Sequence, residues 1–150
     1  MRVVIQRVKH AKVVIDNKEK SSINNGMLIL VAVEDSDTTE DIEWLTDKII
    51  KLRIFDDENG IMNKSVLDVA QQIMVVSQFT LFASTKKGNR PSYLRSSKPD
   101  FSKPMYEKFI SSLQHKLDKP IATGEFGADM QVELCNDGPV TIIIDTKLKE

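Results

Sequence analysis

The sequence predicts an α+β fold with a mostly antiparallel, barrel-like β-sheet and two main helices in a single domain. Predicted strands outnumber predicted helices, and hairpin-like links join most of them. The chain has 150 residues, of which 41% are hydrophobic, and this is enough for one core that needs neither disulfides nor a structural metal. We therefore expect residues 1–150 to form one domain.

Runs of β-branched residues predict the first strands. Val3–Val8 and Val13–Ile15 are typical strands, separated by the polar stretch Lys9–Lys12, and Asp16-Asn17 supplies a turn. Met27–Val33 has no polar break, which predicts a central strand buried on both faces.

A helix follows this central strand. Asp37 with Glu40 three residues later is a candidate capping box at its start. Apolar residues then recur at three- and four-residue spacing and predict one buried stripe: Ile42, Leu45, Ile49 and Leu52.

In the second half, a turn at Asp56–Gly60 precedes a short buried strand at Ile73–Val76. The proline-containing stretch 84–104 predicts an ordered loop. A second helix is predicted from Pro104 to before Pro120, with a buried stripe formed by Phe109, Ile110, Leu113 and Leu117.

Two further strands are predicted near the end of the chain. Met130–Leu134 and Val140–Asp145 have strand character, and Asn136-Asp137-Gly138-Pro139 separates them.

Charge is balanced in total but not in distribution. The formal net charge is −1, yet residues 34–47 hold seven acids and no base, whereas residues 86–103 hold six bases and one acid. Either the two runs are ordinary solvated surfaces, or the molecule has one basic face that contacts a polyanion. No stretch approaches the about 20 apolar residues of a membrane span, and no signal-peptide pattern is present, so we expect a cytoplasmic protein.

The usual catalytic side chains are scarce. The only histidines are His10, in a charged and turn-like stretch, and His115, on the exposed side of the second helix. Cys135 follows a predicted strand and is expected to be a buried, inert thiol. No metal-ligand spacing, phosphate-binding loop or dinucleotide fingerprint is present, so we expect neither a metal nor another cofactor. An enzyme with this sequence would work with little acid–base help from its own side chains.

A polar segment follows the Ile73–Val76 strand. Ser77, Gln78, Phe79 and Thr80 either form a polar strand end or a turn whose backbone N–H groups build an oxyanion site. Gly138-Pro139 is a second candidate site, because glycine relieves the steric conflict that proline imposes on its predecessor and a cis bond is accessible there.

These segments together resemble the D-aminoacyl-tRNA deacylase family over Met1 to about Asp145. Ser77-Gln78-Phe79-Thr80-Leu81 and Asn136-Asp137-Gly138-Pro139-Val140-Thr141 are similar to its two signature motifs. Further similar segments, in the same order, are Met1–Val8, Leu52–Asp57, Lys87–Ser92 and Gly124–Met130.

The resemblance implies a homodimer that hydrolyses the ester between a D-amino acid, or glycine, and the 3′-terminal adenosine of tRNA. It implies that Gly138-Pro139 is cis and reaches into the pocket of the other subunit, where it rejects L-amino acids. Two catalytic schemes follow from the resemblance: Thr80 acts as nucleophile, or the 2′-hydroxyl of the terminal ribose assists while Gln78 and the backbone near Phe79 and Thr80 stabilise the oxyanion. We favour the second scheme, because no general base is identifiable beside Thr80.

The remaining candidate residues serve binding. Phe126 and Met130 either line the adenine or amino-acid pocket or belong to the core, and Arg7 either orients the Gly-Pro loop or binds phosphate. Lys86, Lys87 and Arg90 are the candidates for contact with tRNA. The stretch Ser96-Ser97-Lys98 departs from the family, which is richer in alanine there. Two rival functions remain open, namely a dimeric nucleic-acid-binding module and a hydrolase of small D-amino-acid esters.

Overall fold

The computed structural model describes residues 1–149 and consists of two helices, a 3₁₀ helix and eight strands. The strands are β1 (Arg2–Ile15), β2 (Lys18–Ile23), β3 (Gly26–Ala32), β4 (Phe55–Asp56), β5 (Met62–Lys64), β6 (Gln72–Ser77), β7 (Ala122–Thr123) and β8 (Gln131–Asp145). The helices are α1 (Thr39–Ile50) and α2 (Pro99–Leu117), and the 3₁₀ helix spans Phe79–Phe82.

The main sheet confirms the predicted α+β, barrel-like fold. Strand β1 pairs antiparallel with β2, β3 and β8, whereas β6 lies parallel to both β3 and β7. The sheet is nearly closed, because the Ser21 hydroxyl on β2 donates to the Thr123 carbonyl on β7 at 2.7 Å. The two parallel pairings make the sheet mixed.

The core lies on both faces of the sheet, as predicted for the central strand. Met27 and Ile29 of β3 pack in the larger cluster, which also contains the buried side chains of α1 and α2. Leu28 belongs to a second cluster on the opposite face, together with Met74 and Val76 of β6. Gly26 brings β3 against β6 very closely, because a Cβ atom at this position would lie 2.0 Å from the Gln72 carbonyl oxygen.

Several boundaries differ from the prediction. Strand β1 is continuous through Lys9–Lys12, where a register shift replaces the predicted break and places His10 within a strand rather than a turn. Strand β8 likewise runs without interruption through Asn136–Pro139. Cys135 is exposed on β8, so the expectation of a buried thiol is wrong.

The helices also begin elsewhere than predicted. The N-cap of α1 is Thr38, whose capping box is completed by Asp41 rather than by Asp37 and Glu40. Helix α2 begins at Pro99, and Pro104 lies inside it. None of the helices within residues 1–149 combines the length and the apolar character that crossing a membrane requires.

Candidate active site

A cavity of about 390 Å³ opens where β3 and β6 end and α2 begins. Three of the four residues of the first polar motif line it, namely Ser77, Gln78 and Phe79, as does the predicted pocket residue Phe126. The rest of the lining comes from the end of β3 and the residue after it, from α2 and the loop that precedes it, and from the segment between β7 and β8: Val31, Ala32, Val33, Tyr93, Ser96, Ser97, Lys98, Pro99, Ser102, Tyr106 and Gly127.

The polar motif forms a tight turn at the end of β6. The Gln78 N–H donates to the Val31 carbonyl at 2.8 Å, and the Gln78 carbonyl accepts the Leu81 N–H at 3.1 Å. The N–H groups of Phe79 and Thr80 have no acceptor within residues 1–149, because they begin the 3₁₀ helix. Adjacent unpaired N–H groups of this kind are the elements from which an oxyanion site is built.

The Thr80 hydroxyl is not activated by a base. In the described part of the chain, its only hydrogen-bond partner is the Gln78 side-chain amide, which donates to it. His10 and His115 are both exposed and neither lines the cavity. The geometry thus offers hydrogen-bond donors for a developing negative charge but no imidazole or carboxylate that could deprotonate Thr80.

Tyr106 and Phe126 form the inner wall. The Tyr106 hydroxyl donates to the Val75 carbonyl at 3.0 Å, and its ring lies 5.8 Å from that of Phe126. Burial raises the pKa of Tyr106 to about 12, so its hydroxyl is a neutral donor at physiological pH. Sequence reasoning missed Tyr106, although it lies three residues before Phe109 on the same buried stripe of α2.

The loop of residues 83–98, here called the basic loop, borders the mouth of the cavity. Its base is a Ser84–Ser92 bridge, and Lys86, Lys87 and Arg90 lie exposed between these two serines. None of the three forms an ion pair with another residue of the described chain. They are therefore available to an external anion.

Aromatic and polar contacts hold the second half of the basic loop against β3. Tyr93 packs edge-on against Phe79 at 5.1 Å between ring centroids, and Phe79 remains 56% exposed. Arg95 pairs with the Glu34 carboxylate, and the Ser97 hydroxyl donates to Asp35 at 2.6 Å. The stretch Ser96-Ser97-Lys98 is thus firmly attached to the segment that follows β3.

The Gly138–Pro139 peptide bond is cis, and both residues are exposed. They do not line the cavity of their own chain. Arg7 lies next to them, since its guanidinium donates to the Asp137 carbonyl at 3.1 Å. It also donates to the Ile54 carbonyl at 2.7 Å and to the Asp56 carboxylate at 3.0 Å. Arg7 therefore links the Gly138-Pro139 segment to the segment Ile54–Asp56.

The structure brings only some of the predicted site residues together. Thr80 adjoins the cavity through the turn, whereas Arg7 and Met130 do not line it. Met130 packs instead with the second core cluster, beside Gly124. No group of three or more metal-ligating side chains occurs within residues 1–149.

Comparison with known proteins gives consistent results over nearly the whole chain. A family model described as D-Tyr-tRNA(Tyr) deacylase matches residues 4–145. Proteins called D-aminoacyl-tRNA deacylase from Parabacteroides distasonis and Bacteroides fragilis are each 64% identical over 150 residues, which is 100% of both chains.

Two solved structures are similar in fold. One, titled c-Myc DNA Unwinding Element Binding Protein, has a TM-score of 0.91 and 37% identity, and the match covers 97% of this chain and 98% of that one. The other is titled as a probable eukaryotic D-amino acid tRNA deacylase, with a TM-score of 0.81, 17% identity and coverage of 95% and 97%. At that identity the second likeness shows the fold alone.

Proposed function

The chain belongs to the D-Tyr-tRNA(Tyr) deacylase family, and from this premise we propose that it hydrolyses D-aminoacyl-tRNA. Water adds to the ester carbonyl carbon, the bond to the 3′-terminal ribose oxygen breaks, and tRNA and the free amino acid leave. The observation that carries the proposal is the turn after β6, which lies beside the cavity. The N–H groups of Phe79 and Thr80 in this turn have no acceptor within residues 1–149.

Electrostatic stabilisation is the main catalytic effect in this proposal. The two N–H groups, with the Gln78 amide nearby, stabilise the oxyanion of the tetrahedral intermediate, and a single donor of this kind contributes about 10²–10³ in rate. The Thr80 hydroxyl has no base beside it in the described chain. The 2′-hydroxyl of the terminal ribose therefore assists the attack of water, in preference to a nucleophilic Thr80.

Chiral selection is assigned to Gly138 and Pro139. Backbone carbonyls of this loop accept hydrogen bonds from the substrate ammonium and occupy the space that an L side chain would need. Such a filter ignores side-chain identity, so it admits many D-amino acids and also glycine, including glycine mischarged on tRNA(Ala). Both residues are exposed and lie outside their own cavity, which is why the proposal requires a second subunit.

The surface around β8 supports a homodimer. Strand β8 is 15 residues long and pairs only with β1 among the described strands, so its other edge is open. Ile143 on this strand is 68% exposed and borders an apolar groove with Trp44, Leu52 and Leu148. Open strand edges and exposed apolar grooves are surfaces on which a second copy can pack.

Lys86, Lys87 and Arg90 are proposed to contact the phosphates of the tRNA acceptor end. Such contacts fix position without reading sequence, and they suit an enzyme that acts on many tRNAs. The proposed location is the cytoplasm, where aminoacyl-tRNA is made and used.

A substrate panel tests the proposal. Purified protein should release D-tyrosine from D-tyrosyl-tRNA while leaving L-tyrosyl-tRNA and D-tyrosine ethyl ester intact. For the catalytic scheme, Thr80→Ala should retain most of the activity, whereas D-tyrosyl-tRNA ending in 2′-deoxyadenosine should be nearly inert. Efficient hydrolysis of the deoxy substrate would exclude the RNA-assisted scheme.

The same panel separates the rival functions. The solved structure titled as a DNA-unwinding-element-binding protein, at 37% identity, favours nucleic-acid binding without turnover as the second candidate. That function predicts a gel shift with tRNA or duplex DNA and no loss of any ester. Hydrolysis of the ethyl ester would indicate a hydrolase of small D-amino-acid esters instead.

A further inference from the structure

We propose that Ser96 is a positioning residue for the deacylation. Its hydroxyl holds the Phe79–Thr80 peptide unit in the orientation that directs the Thr80 N–H to the oxyanion. This inference rests on the proposed function.

The contact that carries the inference is short. The Ser96 hydroxyl donates to the Phe79 carbonyl with 2.6 Å between the two oxygen atoms. A peptide unit is planar, and its C=O and N–H groups point in opposite directions. A side chain that fixes the Phe79 carbonyl therefore also fixes the direction of the Thr80 N–H, which has no acceptor within residues 1–149.

Ser96 is itself held in place on both sides. The Ser96 N–H donates to the Tyr93 carbonyl at 3.0 Å, and the Ser97 N–H donates to the Val33 carbonyl at 3.0 Å. Arg95 forms two bonds to the Glu34 carboxylate, each 3.2 Å long. These contacts hold the Ser96 hydroxyl in a defined position next to the end of β3. The same strand holds Gln78, whose N–H donates to the Val31 carbonyl.

The neighbouring peptide unit has no side-chain contact of this kind. The Gln78 carbonyl accepts the Leu81 N–H at 3.1 Å, so the turn itself orients the Gln78–Phe79 unit and its N–H. The 3₁₀ helix also directs the Phe82 N–H to the Phe79 carbonyl, and the Ser96 hydroxyl is the second donor to that carbonyl. Of the two peptide units whose N–H groups face the proposed oxyanion, only the Phe79–Thr80 unit is held by a side chain in addition to the backbone. Loss of the Ser96 hydroxyl should therefore impair one donor and leave the other intact.

The test compares three variants in single-turnover deacylation of D-tyrosyl-tRNA. Ser96→Ala should lower the maximal rate about 3- to 10-fold, the effect of a single neutral hydrogen bond, while the enzyme concentration for half-saturation stays within about two-fold. Ser96→Thr retains the hydroxyl and should restore most of the rate. Ser92→Ala is the matched control, because it removes a hydroxyl from the same loop at a residue that neither lines the cavity nor contacts the Phe79 carbonyl.

A structural readout accompanies the kinetics. The backbone amide resonance of Thr80 in ¹⁵N-labelled protein should shift in Ser96→Ala and return towards its wild-type position in Ser96→Thr. Ser92→Ala should leave it in place, and the melting temperatures of all three variants should stay close to that of the wild type.

The outcomes separate this inference from the proposed function. An active wild type with an unchanged rate in Ser96→Ala would overturn the role of Ser96 and leave the deacylase proposal standing. An equal loss in Ser92→Ala, or a loss confined to half-saturation, would show general loosening of the loop and would also overturn it. A wild type inactive on D-tyrosyl-tRNA would refute the proposed function, and the role of Ser96 in deacylation with it.

Discussion

Replacing Arg7 by methionine should destabilise the fold substantially, because methionine fills much of the same volume but donates no hydrogen bond. The guanidinium side chain is only 10% exposed and bridges the Ile54 carbonyl to Asp137. Leaving the buried Ile54 carbonyl without a partner costs about 1–3 kcal/mol. Asp56 and Asp137 are partly exposed and regain water, so they add less. We expect a total loss of about 2–4 kcal/mol in the free energy of unfolding.

Urea denaturation followed by tryptophan fluorescence measures this loss, with Lys12→Met as the matched control. Lys12 also lies on β1 and pairs with β8 through Glu133 at 3.1 Å, but this pair is exposed and should contribute at most about 1 kcal/mol. Arg7→Met should also weaken discrimination between D- and L-tyrosyl-tRNA, since Asp137 directly precedes Gly138. A loss for Arg7→Met no larger than that for Lys12→Met would refute the reasoning.

Three further predictions concern other parts of the molecule. Burial raises the pKa of Tyr106 to about 12 in the folded protein, whereas its ordinary value is near 10. The unfolded chain therefore loses this proton at a lower pH than the folded protein does. The resulting contribution to the free energy of unfolding is fully present below pH 10 and is lost as the pH rises towards 12. Wild-type stability to urea should thus fall more between pH 9 and pH 11.5 than that of Tyr106→Phe, and equal falls would contradict the assignment. Gly26→Ala should lower the free energy of unfolding by about 2 kcal/mol or more, because the new Cβ atom would clash with the Gln72 carbonyl oxygen. A melting temperature within about 1 °C of that of the wild type would contradict the close approach of these two strands. Neutralising Lys86, Lys87 and Arg90 together should weaken tRNA binding and flatten its dependence on salt concentration while leaving kcat nearly unchanged. An unaltered salt dependence would indicate that the tRNA binds elsewhere.

Strand positions could be predicted from the sequence because β-branched runs and period-two burial are local signals. The continuity of β1 could not, since Lys9 and His10 interrupt that alternation. The structure accommodates the interruption through register shifts against β8, which only the paired strand reveals. Asn136 pairs with Val8 and Thr141 with Gln6, so the residues between them form a bulge within β8 that contains Gly138 and Pro139, two residue types that normally weaken or end a strand.

The start of α2 shows a competition between two local signals. Pro99 and Pro104 are both suited to a first helical turn, and the earlier one begins the helix. Pro104 then lies one turn further in and removes a single hydrogen bond, which the buried stripe around Phe109 offsets. Local propensity alone could not decide between the two positions.

For the site, the first signature motif could be identified from the sequence because it is contiguous. Phe126 is also a pocket candidate from the sequence, and it lines the cavity. The contribution of Ser96 could not be predicted, because 17 residues separate it from Phe79 and only the folded path of the basic loop brings them together. Residues that act through tertiary contacts of this kind leave no local pattern.

The pairing of β1 with β8 also constrains when the protein can fold. Arg2 lies opposite Asp145, so the first strand finds its longest partner only 143 residues later in the chain. Contacts at such separation carry a large loop-closure entropy and are associated with slow folding. During synthesis, β1 can pair with β2 and β3, but its other edge must wait until residues 131–145 have left the ribosome. The sheet is therefore completed only once β8 has emerged, and nascent chains expose an aggregation-prone strand edge until then.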